Sequence, residues 1–148
     1  MVDSVQVRLR EEIRDLHGFF VGWFRGELPA TREAFARAER ALGSGFRMIT
    51  PRGALVDRDS LVQSLWSAHA SIKDRFEIEV RNVRTPERIQ DPAIGGVATW
   101  WVVYEEWQWR GLEQSARLSS ACLDEAADGT WTWRYVHETW MPDLSASK

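Results

Sequence analysis

Val97-Ala98-Thr99-Trp100-Trp101-Val102-Val103-Tyr104-Glu105-Glu106-Trp107-Gln108-Trp109, followed by Arg110-Gly111-Leu112, is the stretch whose reading decides the fold. It is rich in β-branched and aromatic side chains, holds no proline and ends at a glycine. It therefore reads as one long strand running into a tight turn. Gln114 to Leu123 reads as the returning strand, Asp124 to Gly129 as a loop, and Trp131 to Met141 as a third strand of an antiparallel meander. Upstream, Phe76, Ile78 and Val80 alternate with Glu77, Glu79 and Arg81, the period of a half-buried strand. A polar loop with Pro86 and Pro92 follows, and Gly95-Gly96 opens the long strand.

The first half carries helical spacing instead. Leu9, Ile13, Leu16, Phe20 and Trp23 form one apolar stripe after a Ser4 cap. Gly18, Gly22 and Gly26 lie on a second line of that helix, where a neighbour can pack closely, and Gly26 is placed to end it. Thr31 caps a second helix with Phe35, Ala38 and Leu42 on its inner face, stopped by Gly43-Ser44-Gly45. Phe46 to Thr50 reads as a short strand that turns at Pro51-Arg52-Gly53 and pairs back through Ala54 to Val56. Asp57 caps a third helix, with Val62, Leu65, Trp66 and His69 on one face. Trp66 is thus expected in the core, where truncation to alanine costs roughly 3–5 kcal/mol.

At 148 residues the chain reads as a single domain, 1–148, of class α+β. Its net charge of -3 shows no basic stripe, so no nucleic-acid partner is expected. Cys122 is the one cysteine, and neither CxxC nor HExxH occurs, so no disulfide, metal or cofactor is expected. The polar start and the short apolar run from Phe19 to Phe24 predict a cytoplasmic protein without a membrane partner. Seven of the nine tryptophans fall between Trp100 and Trp140, as a ligand cavity or an interface requires.

Three helices with a small hairpin between the second and third, then a curled antiparallel sheet, resemble the nuclear transport factor 2-like superfamily. Its members include ketosteroid isomerases, scytalone dehydratase and SnoaL-like polyketide cyclases. Phe19-Phe20 through Trp23-Phe24 look like the end of that family's first helix. Phe46-Arg47-Met48-Ile49 with Pro51, Gly53 and Asp57-Arg58 resemble its hairpin and third-helix entry. Tyr104 to Gln108, and Trp133 through His137-Glu138-Thr139, resemble its central and last strands. The resemblance implies a cone-shaped, cystatin-like fold: three helices on a curved, mostly antiparallel sheet around an internal pocket. No residue here matches the isomerases' general-base aspartate.

Alternation along strands groups the candidate site residues. Odd positions hold Trp101, Glu105 and Trp107 on the long strand, Arg117 on the next, and Trp133, Tyr135 and His137 on the last. A three-residue turn at Arg110 to Leu112 sets Glu105 opposite Arg117, with His137 completing the row. A two-residue turn on Gly111-Leu112 sets Glu106 there instead. In the first register Arg117 anchors a carboxylate or enolate, His137 is the catalytic acid or base, and Glu105 orients one of the two. Trp101, Trp107, Trp133, Tyr135 and His69 then line the ligand site. The alternative is a cross-strand ion pair on a solvated face plus a structural histidine. His17, beside the glycine line, reads as structural. The expected function is binding of a small apolar molecule with a carbonyl or acidic group, by a cofactor-independent isomerase, cyclase or lyase. A non-catalytic binding protein and a homodimeric interaction module are the alternatives. Bulk on both faces of the sheet leads to a homodimer through the convex face.

Overall fold

The computed structural model describes residues 4–90 and 96–142; Pro92, Gly95 and the tail beyond Pro142 lie outside them. Helix α1 spans Val5–Phe24, and the Ser4 hydroxyl accepts from the Val7 N–H at 3.2 Å. It ends at Gly26, whose φ of 75° belongs to the left-handed region. A Cβ there would also meet the Ala70 methyl at 2.7 Å, so conformation and space both demand glycine. Helix α2, Arg32–Ala41, is capped by Thr31.

Strand β1, Leu42–Ile49, begins at once. Leu42 therefore opens a strand rather than closing a helix face, because it pairs with the last strand of the sheet at Trp133. Gly43 permits that approach: a Cβ would sit 2.7 Å from Thr132 Cγ2. Strand β2, Leu55–Asp57, folds back on β1. Helix α3, Arg58–Ser67, starts where the Asp57 carboxylate accepts from the Ser60 N–H at 2.8 Å.

Strands β3 (Phe76–Arg81), β4 (Glu87–Gln90), β5 (Ala98–Arg110), β6 (Glu113–Glu125) and β7 (Trp131–Trp140) follow. The sheet runs β2-β1-β7-β6-β5-β3, with β4 also on β5. All pairings are antiparallel except β1 with β7. The expected α+β architecture, helices packed on a mostly antiparallel sheet, is the one observed. Strand β4 was expected as loop; Pro86 sits just before it, where a missing N–H harms no ladder.

The core lies between the helices and one sheet face. Leu9, Ile13, Leu16 and Trp23 are buried from α1, Phe35 and Ala38 from α2, and Val102, Tyr104, Ala121, Leu123 and Trp133 from the sheet. Trp23 is its keystone. Its indole N–H donates to the Leu65 carbonyl at 2.6 Å, and its ring lies 4.9 Å from Phe35 and 4.5 Å from His69. Trp66 is not fully inside, contrary to the expectation from its helix stripe. Leu65 is the residue α3 buries, while Trp66 stays 36% exposed, leaning on Trp23 and Phe35 under the Arg32 guanidinium.

Two truncations should separate keystone from rim in urea unfolding. Trp23→Ala should cost about 3–5 kcal/mol, the scale of a large aromatic removed from a core. Trp66→Ala should cost about 1–2 kcal/mol, since only part of its ring leaves water. Equal losses would contradict this packing.

Candidate functional site

The β5–β6 hairpin closes on two residues. Arg110 pairs with Glu113, and Gly111 has the positive φ of 60° that a tight hairpin turn wants in its first position. That register sets Glu106, not Glu105, opposite Arg117, and Tyr104 opposite Ser119. On the other side of β6, Arg117 faces Trp140 and Ser119 faces Glu138. The face toward the helices therefore carries Tyr104 and Glu106 from β5, Arg117 and Ser119 from β6, and Glu138 and Trp140 from β7.

Helix α1 lays His17 against this row. His17 Nε2 lies 3.0 Å from Glu106 Oε1, and Nδ1 lies 2.7 Å from the Ile13 carbonyl oxygen. Gln108 donates to the other Glu106 oxygen. Arg117 Nη1 donates to Glu138 Oε1 at 3.1 Å, and the Trp140 ring covers its guanidinium at 4.9 Å. His17, Glu106, Glu138 and Ser119 are all buried. Two polar atoms in the row, Arg117 Nε and Ser119 Oγ, are buried without a hydrogen bond of good geometry, although the Tyr104 phenol lies beside Ser119. Buried polar atoms are nearly always satisfied, so such a pair is unusual.

The protonation states follow from geometry. A carbonyl only accepts, so His17 Nδ1 carries a proton. Burial alone would lower the His17 pKa; the Glu106 carboxylate outweighs that and raises it above 6.5. Burial alone would raise Glu106; His17 outweighs it and pulls the carboxyl down to about 2. The pair is an imidazolium on a carboxylate, and both ring N–H groups are committed. His17 thus has no lone pair to serve as a base. Glu138 moves the other way: burial and the Glu106 charge raise it, against Arg117. Burial, with Glu106 and Glu138, pushes the Tyr104 phenol well above 10, so it stays a donor.

The expected row of Glu105, Arg117 and His137 is not formed. Arg117 is inside, but His137 is exposed on the outer face opposite Ser120, and Glu105 lies on that face opposite Leu118. Parity failed twice. The two-residue turn pairs odd positions of β5 with even positions of β6, and β7 carries a bulge where pairing slips between Cys122 and Leu123. Trp133 consequently points inward, its N–H on Glu12 at 2.9 Å. Trp101 and Trp107 lie outside, as does Tyr135, opposite Cys122. Glu105 is buried there under donors from Asn82 and Trp107, both at 2.9 Å. His69 Nε2 donates to the Leu28 carbonyl at 2.6 Å, a bond between the turn after α3 and the α1–α2 loop. Sequence reasoning missed His17 although the signal was present: it stands four residues after Ile13 and three before Phe20, inside the stripe.

An open groove of about 590 Å³ between α1 and β3 touches this cluster at His17, while Arg117, Ser119, Glu138 and Trp140 do not line it. Arg14, His17, Gly18, Ile78, Val80 and Asn82 are among its lining residues. It has a charged histidine at its wall in place of the expected cage of tryptophans.

The buried pair predicts a pH window for stability. The Glu106 contribution is present above 4.5 and lost as pH falls toward 2; the His17 contribution is complete below 6.5 and lost as pH rises through its raised value. Unfolding free energy attributable to the pair should thus peak between these limits. His17→Ala should cost about 3–5 kcal/mol at pH 6, leaving a buried carboxylate alone. Glu106→Gln should flatten the loss of stability between pH 4.5 and pH 2 in denaturant titrations.

No model of a known protein family matches the sequence. The tobacco (Nicotiana tabacum) protein sucrose-phosphatase 1 is 24% identical over 141 residues, 92% of this chain but 31% of that enzyme. The chain thus spans about a third of that relative's length. Among solved structures, an NTF-2 like protein of unknown function from Pseudomonas aeruginosa superposes with a TM-score of 0.72 at 25% identity, covering 90% of this chain and 98% of that one. The S. rosetta CaMKII hub superposes at 0.67 with 9% identity, covering 95% and 100%. Together with the three helices over a curled antiparallel sheet, these likenesses show that the chain has the fold of the nuclear transport factor 2-like superfamily.

Proposed function

We propose that this domain binds a small, largely apolar molecule carrying an acidic or carbonyl group, with Arg117 as its anchor. The observation that carries this reading is the pair of buried atoms without a hydrogen bond of good geometry, Arg117 Nε and Ser119 Oγ, two residues apart on one strand face. A guest oxygen between them would satisfy both. Trp140 over the guanidinium offers an apolar surface for the rest of the molecule. Where chemistry accompanies binding, Glu138 is the acid or base on this face, because its carboxyl is displaced toward neutrality and His17 is committed. No described helix is long and apolar enough to cross a membrane.

Benzoate is a suitable probe, and tryptophan fluorescence the readout. Saturable quenching is expected. Arg117→Ala should weaken binding by about 1.5–3 kcal/mol, the range for a hydrogen bond to a charged group. Quenching that Arg117→Ala leaves untouched would place the ligand elsewhere.

A second reading concerns assembly, and the outer sheet face favours it. Trp101 and Leu118 are 37% and 42% exposed there, beside the half-buried Trp107 and Trp109. Apolar groups this exposed on one face suit a homodimer contact, and a hub is among the structures of this fold. Sedimentation equilibrium at micromolar concentration should give a dimer, and Leu118→Glu a folded monomer. A wild-type monomer would remove this reading without touching the ligand site.

A further inference from the structure

We infer that Glu138 is a built-in occupant of the Arg117 anchor, and that an acidic ligand enters by displacing it and takes up a proton as it binds. The inference rests on the acid-binding reading above and adds its linkage to pH.

The argument is one of charge. Four elements besides its own strand share this face with Glu138. Helix α1 contributes His17, β5 contributes Tyr104 and Glu106, and β6 contributes Arg117; β1 presents Phe46 and Met48, neither of which titrates. The imidazolium, the Glu106 carboxylate, the guanidinium and the Glu138 carboxylate sum to zero, and the phenol is neutral. Arg117 donates to Glu138 through Nη1. A carboxylate ligand arriving at Arg117 would therefore leave one negative charge too many in a buried site, a penalty of several kcal/mol per uncompensated ion. Glu106 is held ionised by His17 at 3.0 Å and cannot readily absorb the excess. Glu138 can: it loses Arg117 to the ligand and takes one proton from solvent, becoming a neutral acid. The balance is ligand carboxylate plus proton plus protein giving a neutral complex, with no other bond made or broken. Burial and the Glu106 charge already raise the Glu138 pKa toward that outcome. The entry is local as well. Glu138 lies near the end of β7, and the Trp140 ring, 41% exposed, packs 4.9 Å from the Arg117 guanidinium.

Calorimetric titration with sodium benzoate, in buffers of different ionisation enthalpy between pH 6 and 8, counts the protons. Wild-type protein should take up about one proton per benzoate, and its Kd should rise about tenfold per pH unit on the alkaline side. Glu138→Gln keeps the side-chain volume and removes the charge. It should take up no proton, bind with a Kd flat across this range, and bind more tightly than wild type at pH 8. Near-ultraviolet circular dichroism checks that the variant is folded. Wild-type binding that depends on Arg117 but takes up no proton would overturn the inference and leave the acid-binding reading standing. Undiminished uptake in Glu138→Gln would overturn it too. Binding by Glu138→Gln alone would support displacement in its strictest form. Benzoate that binds neither protein would bring down both readings.

Discussion

Arg110 pairs with Glu113 across a turn of only Gly111 and Leu112, and that closure decides which side chains of the two longest strands meet. Every residue of β5 and β6 inherits its face from it, because strand side chains alternate without exception along a regular ladder. With this turn, Glu106 and Arg117 share the inner face with Tyr104 and Ser119. One residue more would put Glu105 there and turn a charge-bearing interior into a different one. Gly111 is the residue that makes so short a turn feasible, since its φ of 60° lies where a side chain is disfavoured.

An interior with a histidine, two carboxylates and a guanidinium would be hard to assemble unless its charges cancelled. They do, and they cancel across elements rather than within one. His17 comes from α1, Glu106 from β5, Arg117 from β6 and Glu138 from β7. Each ion pair is therefore also a cross-link between the helix and the sheet, or between neighbouring strands. Glu12 extends the same logic at the surface of the core. It accepts from the Trp133 N–H on β7 and from Arg37 on α2, so α1, α2 and β7 meet at one carboxylate. Such groups contribute less to net stability than to uniqueness: a helix rotated by one residue would leave buried charges alone.

The apolar part of the fold is more forgiving. Trp23, Phe35 and Leu65 pack the three helices against one another, and Trp66 and Arg32 close that cluster from outside. Nothing in it depends on the sheet register. The site does, so the two halves of the domain carry different burdens. The helical layer supplies bulk, while the sheet supplies position.

Helix caps, strand periods, the two-residue sheet turn as one of two alternatives, and the superfamily fold itself were all legible in the sequence. They rest on local signals: Ser4, Thr31 and Asp57 at helix starts, alternation from Phe76 onward, and glycine at Gly26 and Gly111. The strand that carries Arg117 was legible for the same reason. The partners of Arg117 were not. Parity links distant strands only if every turn length and every bulge between them is known, and a single slip between Cys122 and Leu123 was enough to send His137 to the outer face. His17 was passed over because its helix stripe looked purely apolar until Glu106 was set across from it. The sequence by itself determined which residues form strands and helices, since that depends on neighbours along the chain. Only the tertiary structure decided which charges face one another, since that depends on hydrogen bonds between strands far apart in it.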